Sequence, residues 1–143
     1  MKSSLKTITF AAAAATLLAA GTAFAARPAN LAGTTWTLQT NRDAVQLVIN
    51  TQSGPGAPGA ATCRIINGVL GSNDITIRGF YCPATGRIHF VHRNLDSGDA
   101  VRVFTGNVSD DALGQTLYMA GTMTVLISAL GDLGEYNFSA TTN

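Results

Sequence analysis

Charged side chains are scarce in this sequence and nearly balance, with nine Lys or Arg residues against eight Asp or Glu. A nucleic-acid-binding protein needs a clustered basic surface to displace counterions from phosphates, so this balance argues against one. Helical signals are also missing, because no stretch shows a sustained helical period with caps. No apolar run approaches the roughly 20 residues of a good membrane-spanning helix. These absences leave an all-β protein without a membrane span as the expectation.

Motifs for catalysis are absent too. Neither the Gly-x-Ser-x-Gly nucleophile turn nor a phosphate-binding glycine loop occurs, and no His-x-x-x-His pair marks a zinc helix. His89 and His92 are three residues apart on a predicted strand, so they point to opposite faces and cannot easily share a metal. Asp110 and Asp111 lie in a predicted turn, where adjacent acids are usually solvated. We therefore predict a protein without catalytic residues, cofactor or metal, which is not an enzyme.

The first residues are typical of an export signal. Lys2 and Lys6 precede an apolar run, and Ala23-Phe24-Ala25 forms a small-residue cleavage site. Cleavage would start the mature chain near Ala26 and deliver it to the periplasm or the extracellular space. The remainder is enough for one domain and too little for two. The predicted organisation is a signal peptide at 1–25, a loose N-terminal arm at 26–30 and a single barrel domain at 31–143.

Cysteine is limited to Cys63 and Cys82. In an oxidising compartment two cysteines favour a disulfide over a metal site, because two thiols are too few ligands for zinc. If Ser72 and Asn73 are the central turn residues of a hairpin, counting outward along both strands puts the cysteines directly opposite each other. The Cα separation of such a pair suits a disulfide, which we expect on the outside of the barrel wall.

The body of the chain alternates apolar and polar residues with the period of a β-strand. Trp36, Leu38 and Thr40 share one face of the first segment, while Gly and Pro at 53–59 predict a mobile loop. Eight segments joined mostly by tight turns predict an all-β fold, an eight-stranded antiparallel up-and-down barrel whose closure removes exposed edges. A two-sheet sandwich is the alternative. Besides the cysteine hairpin, the predicted strands are Thr34–Thr40, Ala44–Asn50, Arg87–Asn94, Ala100–Ser109, Gln115–Ser128 and Glu135–Thr142.

Several segments resemble the avidin and streptavidin family. Leu31-x-Gly33-x-x-Trp36 resembles the family's opening strand, and Ile77-Arg78-Gly79-Phe80-Tyr81 resembles its fourth. The run at 103–107 is similar to the sixth-strand motif, and the run at 115–118 falls where the seventh strand has a tryptophan. The resemblance follows the order and spacing of the family over nearly the whole mature chain. It implies a barrel that binds a small molecule and forms a dimer or tetramer.

Departures from the family bear on the ligand. Trp36 is the only tryptophan and corresponds to the one that plugs the base of the barrel, so biotin binding is expected to be weak or lost. Arg102 would favour a carboxylate or another anion, because a guanidinium pairs with one bidentately. Alternatively, Arg102 is solvated at the rim while Phe104 and Tyr118 fill the core. The candidate ligand-binding residues of the lumen are Leu38, Thr40, His92, Arg102, Phe104 and Tyr118.

The seventh strand gives two conflicting expectations. Its apolar pattern places Met119, Met123 and Val125 inside the barrel, together with Leu117, whereas the resemblance places Tyr118 and Ala120 inside. In the second case an apolar outer stripe needs cover, which favours a homo-oligomer through the late strands. In the first case a monomer buries the stripe itself.

Three functions follow from these observations. The first is an exported avidin-like barrel that binds a small molecule. This small molecule has an anionic group and is not necessarily biotin. The second is a periplasmic protease inhibitor, because small disulfide-bearing barrels of that kind resemble this chain in a start that combines glycine and tryptophan, and residues 26–30 could insert as an arm. The third is a structural or host-interaction protein with a filled barrel. Whether the lumen is open or filled distinguishes the first from the third.

Overall fold

The computed structural model describes residues 27–54, 63–71, 75–94, 96–111, 113–127 and 133–142. The predicted signal peptide, most of the Gly/Pro loop and the predicted turn at 72–73 lie outside the described residues. Compared with the predicted bounds, the second, sixth and eighth strands are longer, and the fifth and seventh are shorter. The strands are β1 (Thr34–Thr40), β2 (Ala44–Ser53), β3 (Arg64–Leu70), β4 (Ile75–Cys82), β5 (Arg87–Arg93), β6 (Ala100–Asp110), β7 (Leu117–Val125) and β8 (Gly134–Thr142).

These strands form a closed barrel. Each strand pairs antiparallel with the next one along the chain, and β1 also pairs with β8, which closes the sheet. The prediction of an all-β, eight-stranded antiparallel up-and-down barrel is confirmed, and the sandwich alternative is excluded. The described ranges contain no helix that is long and apolar enough to cross a membrane.

Side chains fill the inside of the barrel. Alternate residues point inward, and the largest of them, including Tyr81, Phe90 and Phe104, are fully buried. The interior of an eight-stranded barrel is just wide enough for such side chains. Gly79 also belongs to the inner face, where it pairs with Phe90, and a Cβ at this position would collide with the backbone of β5. The space that we considered for a ligand is therefore a packed hydrophobic core.

On β7 the apolar pattern is right and the expectation from the resemblance is wrong. Met119, Met123 and Val125 are buried in the core, whereas Tyr118 is 45 % exposed and Ala120 is exposed as well. Because side chains alternate, a shift of one residue turns a whole strand inside out, and a short motif does not fix this register. Tyr118 is thus a residue of the outer wall. The barrel itself covers the apolar stripe, which no longer argues for a homo-oligomer through the late strands.

The cysteine hairpin has the predicted register. β3 and β4 pair with Arg64 opposite Tyr81, and Cys63 is bonded to Cys82 one step further along. Tyr81 faces the core, so the side chain of Cys82 points to the outside of the wall, as predicted. The disulfide joins the beginning of β3 to the end of β4.

Residues 27–31 are bound to one end of the barrel, which we call the capped end, and do not form the loose arm that we predicted. The Tyr81 hydroxyl donates a hydrogen bond to Pro28 O at 2.7 Å. The Gln52 side-chain amide donates to Ala29 O at 3.0 Å and accepts from Leu31 N at 2.9 Å. These bonds engage backbone groups that a free arm would leave to water. The first residues of the described chain are therefore part of the barrel structure.

Trp36 lies in the core near this capped end. Its indole is fully buried, and its Nε1 donates a hydrogen bond to Thr34 Oγ1 at 2.8 Å. Leu31 is also fully buried and belongs to the same core cluster. Both side chains are fully buried, so the indole offers no surface to a ligand at the capped end.

Replacing both Cys63 and Cys82 by serine should lower the free energy of unfolding by about 3 kcal/mol. The bridge spans 19 residues, and the chain-entropy model gives about this value for a loop of that size. Urea unfolding followed by Trp36 fluorescence measures the effect, with the wild-type protein under reducing conditions as the control. An unfolding midpoint that is unchanged in both samples would contradict a stabilising role for the bridge.

Candidate functional site

The end of the barrel opposite the capped end holds a cleft, and we call this end the mouth. The turn from β1 to β2 lies here, together with the ends of β5 and β7 and the beginnings of β4 and β6. The cleft has a volume of about 260 Å³ and combines apolar with polar side chains. Its lining includes Ile75, His92, Arg93, Asp96, Val101 and Ile127.

His92 is the buried polar residue of this cleft. Its side chain is 5 % exposed, and its Nδ1 has no hydrogen-bond partner among the described residues. It lies on the inner face of β5, directly opposite Arg102 on β6. Burial is the main reason why the pKa of the imidazole is lowered to about 4, and the positive charge of Arg102 is the second. At neutral pH His92 is therefore uncharged, and its buried Nδ1 has an unused hydrogen-bonding capacity within the described residues.

Arg102 lies next to His92 on the same face of β6 as Phe104, as predicted. Its side chain is 16 % exposed, and its buried Nε has no partner among the described residues. An ion pair joins its Nη1 to Asp43 Oδ2 at 3.8 Å, which is too long for a hydrogen bond. Arg102 is thus neither solvated at the rim nor fully paired, and its Nε–H is an unused donor.

Of the six predicted residues, His92 lines this cleft and the others do not. Leu38 is fully buried in the core, and Phe104 stacks on Phe90 with a centroid distance of 4.6 Å. Thr40 is half-buried at the mouth, where its hydroxyl donates a hydrogen bond of 2.6 Å to Asp43 Oδ1. Leu38 and Phe104 therefore fill the barrel instead of lining a ligand site, and Thr40 holds the turn between β1 and β2.

The structure brings three of the six predicted residues together at the mouth: Thr40, His92 and Arg102. Sequence reasoning missed Asp43 as a residue of the site. No local signal links Asp43 to Arg102, because β1 and β2 do not neighbour β6 in the sheet. The apolar wall of the cleft was also missed as a site. That wall consists of Ile75, Val101 and Ile127.

His89 and the adjacent acids lie outside this site. The two histidines face opposite sides of the wall, as predicted, and His89 Nδ1 is 3.0 Å from Thr105 Oγ1 on the outer side. Burial and the nearby Arg87 lower the pKa of His89. The Asp111 carboxylate accepts hydrogen bonds from backbone N–H groups of its own turn. These bonds lower the pKa of Asp111, and the bond from Gln115 has the largest effect. Across the described ranges, no three His, Cys, Asp or Glu residues form a metal-binding group.

The arrangement at the mouth suits binding of a small anion. A largely buried guanidinium with an unused donor stands beside a neutral imidazole, and hydrogen bonds between a guanidinium and an anion are among the strongest in proteins. The apolar wall beside them gives room for an uncharged part of the same ligand. The site therefore combines one anionic and one apolar subsite.

Acidification should destabilise the protein through His92. The imidazole of His92 has a pKa near 6.5 in the unfolded chain and near 4 in the folded protein. The neutral imidazole therefore contributes to the free energy of unfolding above pH 6.5, and this contribution is lost as the pH falls toward 4. The His92→Leu variant should lack this loss, which is on the order of 2 to 3 kcal/mol. Unfolding by urea at several pH values compares the two proteins. His89→Gln is the control, and it should retain most of the dependence.

A direct measurement of the same effect uses the two histidine resonances in a proton NMR titration. The resonance that disappears in His92→Leu should titrate well below pH 6. A midpoint at 6.5 or above for that resonance would show that His92 is not buried in its neutral form.

Comparison with known proteins assigns no family to the chain. A scan against protein-family models gives no match, and a search among curated proteins finds none either. The resemblance to avidin-like proteins thus rests on the short motifs described above, and the function has to be argued from the mouth.

Proposed function

We propose that this protein is an exported, avidin-like small-molecule-binding barrel that holds the anionic group of its ligand at the mouth. The observation that carries the proposal is a pair of buried nitrogens without hydrogen-bond partners among the described residues: His92 Nδ1, on a residue that lines the cleft, and Arg102 Nε, on the residue paired with it. A buried polar group without a hydrogen bond costs about 1 to 3 kcal/mol. A ligand that bonds to these nitrogens would remove that cost, which favours binding at this place.

The packed core supports a site at the mouth over a site in the lumen. Leu38 and Phe104 are fully buried among other core residues and leave no room for a ligand between them. Biotin should bind weakly or not at all, because the only tryptophan is sealed at the capped end and Leu38 offers no hydrogen bond. The ligand is therefore one that fits a shallow cleft.

Export to the periplasm or the extracellular space is part of the proposal. The Cys63–Cys82 disulfide supports it, because such bonds form and persist in oxidising compartments. The signal-like features of residues 1–25 are the second argument.

The protease-inhibitor alternative is less favoured. An inserting arm would have to detach from the barrel, whereas Pro28 and Ala29 accept hydrogen bonds from Tyr81 and Gln52. Arg27 adds a third bond, from its Nη1 to Ala84 O at 2.7 Å. A purely structural protein would have the same filled barrel as the binding protein that we propose. Ligand binding at the mouth distinguishes these two functions.

Replacing Arg102 by methionine should weaken the binding of small anions at least tenfold, because hydrogen bonds to charged groups contribute about 1.5 to 3 kcal/mol. The probes are acetate, hexanoate and inorganic phosphate. Titrations followed by backbone amide NMR shifts give the Kd and locate the site. Arg78→Met is the matched control, since it removes the same charge from an exposed position on the outer wall, and it should bind like the wild type.

Two outcomes would contradict the proposal. Equal weakening in Arg102→Met and Arg78→Met would indicate a general charge effect instead of a site. Absence of binding of all three probes to the wild-type protein would favour the filled structural barrel. Native mass spectrometry with and without biotin complements the titrations, because it detects a biotin adduct, a co-purified ligand and the oligomeric state.

A further inference from the structure

Asp43 and Arg102 form a contact across the mouth. Asp43 lies in the turn between β1 and β2, and Arg102 lies on β6, which neighbours neither of these strands. The ion pair between Asp43 Oδ2 and Arg102 Nη1 therefore spans the opening and does not follow the wall. Any ligand anion that approaches the guanidinium meets a carboxylate that is already there.

The turn keeps Asp43 from pairing fully with Arg102. The Thr40 hydroxyl donates a hydrogen bond of 2.6 Å to Asp43 Oδ1, and it accepts one of 3.1 Å from the Asp43 backbone N–H. Only Oδ2 faces the guanidinium, at 3.8 Å, whereas a good Arg–carboxylate pair has two hydrogen bonds of about 2.7 to 2.9 Å. The Asp43 carboxylate thus lies where a ligand anion would bind, but it is too far from the Arg102 guanidinium to accept a hydrogen bond from it.

The cleft that His92 lines, on the strand next to Arg102, is suited to a short aliphatic chain. Ile75, Val101 and Ile127 contribute apolar surface, and they line the same cleft as His92, which is opposite Arg102 on the neighbouring strand. Paired residues on adjacent strands are about 5 Å apart, so one small molecule can touch both. A cleft of about 260 Å³ has room for roughly eight groups of the size of a water molecule. Hexanoate, with six carbons and two oxygens, has this size.

We infer that Asp43 is an internal competitor for the anion site at Arg102, and that the ligand class is a short aliphatic carboxylate that displaces it. This inference rests on the proposed function, which it extends from an anion of unspecified kind to a carboxylate with an apolar tail. The ligand carboxylate bonds to the Arg102 guanidinium and the His92 ring, and its tail packs on the apolar wall. A planar carboxylate fits because the group that it replaces is itself a carboxylate.

Binding of sodium hexanoate to three variants of Asp43 and a control tests this inference. Asp43→Asn removes the competing charge but keeps an oxygen for Thr40, and it should bind hexanoate at least fivefold more tightly than the wild type. Asp43→Glu extends the carboxylate toward the guanidinium, and it should bind hexanoate at least threefold more weakly. Asp43→Ala removes the competing group altogether and should bind at least as tightly as Asp43→Asn. Asp99→Asn removes the same charge from an exposed residue, and it should stay within twofold of the wild type.

Two further probes define the ligand class. Inorganic phosphate should bind every protein more weakly than hexanoate, because it cannot use the apolar wall. Hexanol, which has the tail without the carboxylate, should not distinguish the wild type from Asp43→Asn. Preference for phosphate over hexanoate, or a gain for hexanol in Asp43→Asn, would overturn the assignment of a carboxylate.

The outcomes separate the inference from the proposed function. If wild-type binding depends on Arg102 but Asp43→Asn and Asp43→Glu both leave it unchanged, then Asp43 is no competitor while the anion site stands. An equal gain in Asp43→Asn and Asp99→Asn also refutes competition, since it would reflect net charge alone. If neither the wild type nor Asp43→Asn binds hexanoate, acetate or phosphate, the proposed function itself fails. Amide NMR spectra of the free variants confirm that each one is folded.

Discussion

Packing of side chains inside a closed eight-stranded barrel is the constraint on which the rest of this structure depends. Closure through β1 and β8 gives each strand two neighbours, so the inward-facing residues meet in the middle and exclude water. The stacked rings of Phe90 and Phe104 lie in this packed interior. Because the interior is full, a ligand can only use an end of the barrel, and the two ends are built differently.

Both ends of the barrel hold buried polar atoms without a hydrogen bond in the described part of the chain, and the ends differ in how these atoms are placed. Near the cap, the indole N–H of Trp36 and the hydroxyl of Tyr81 each have a hydrogen-bond acceptor, and the buried side-chain atoms that lack one in the described part of the chain are not on paired residues there. At the mouth, Arg102 and His92 are both buried with an unpartnered nitrogen on neighbouring strands. Two such groups side by side reduce stability, and a bound anion would compensate both. This difference is the physical reason for assigning function to the mouth.

Local alternation was enough to predict the barrel, the register of the cysteine hairpin and the opposite faces of His89 and His92. It also placed Met119 and Met123 correctly, where the motif resemblance placed Tyr118 instead. A strand pattern reports which residues share a face and a short motif does not, so the pattern is the stronger argument on β7. The pairing of Asp43 with Arg102 could not be predicted, because it depends on how far the two ends of the sheet curve toward each other. No spacing in the sequence records that distance.

The relative strength of two ion pairs explains how such a mouth can bind a ligand at all. The Asp43–Arg102 pair is long, and the Asp43 side chain is 46 % exposed, so its contribution to stability falls in the range of surface ion pairs, about 0 to 1 kcal/mol. A carboxylate that reaches the guanidinium with two short hydrogen bonds gains about 1.5 to 3 kcal/mol for such contacts. These contacts favour the external carboxylate over the internal one, although the two groups are chemically alike, and the contacts of its tail with the apolar wall help to offset the entropy lost on association. The constraint that Thr40 places on Asp43 is what keeps the internal partner the weaker of the two.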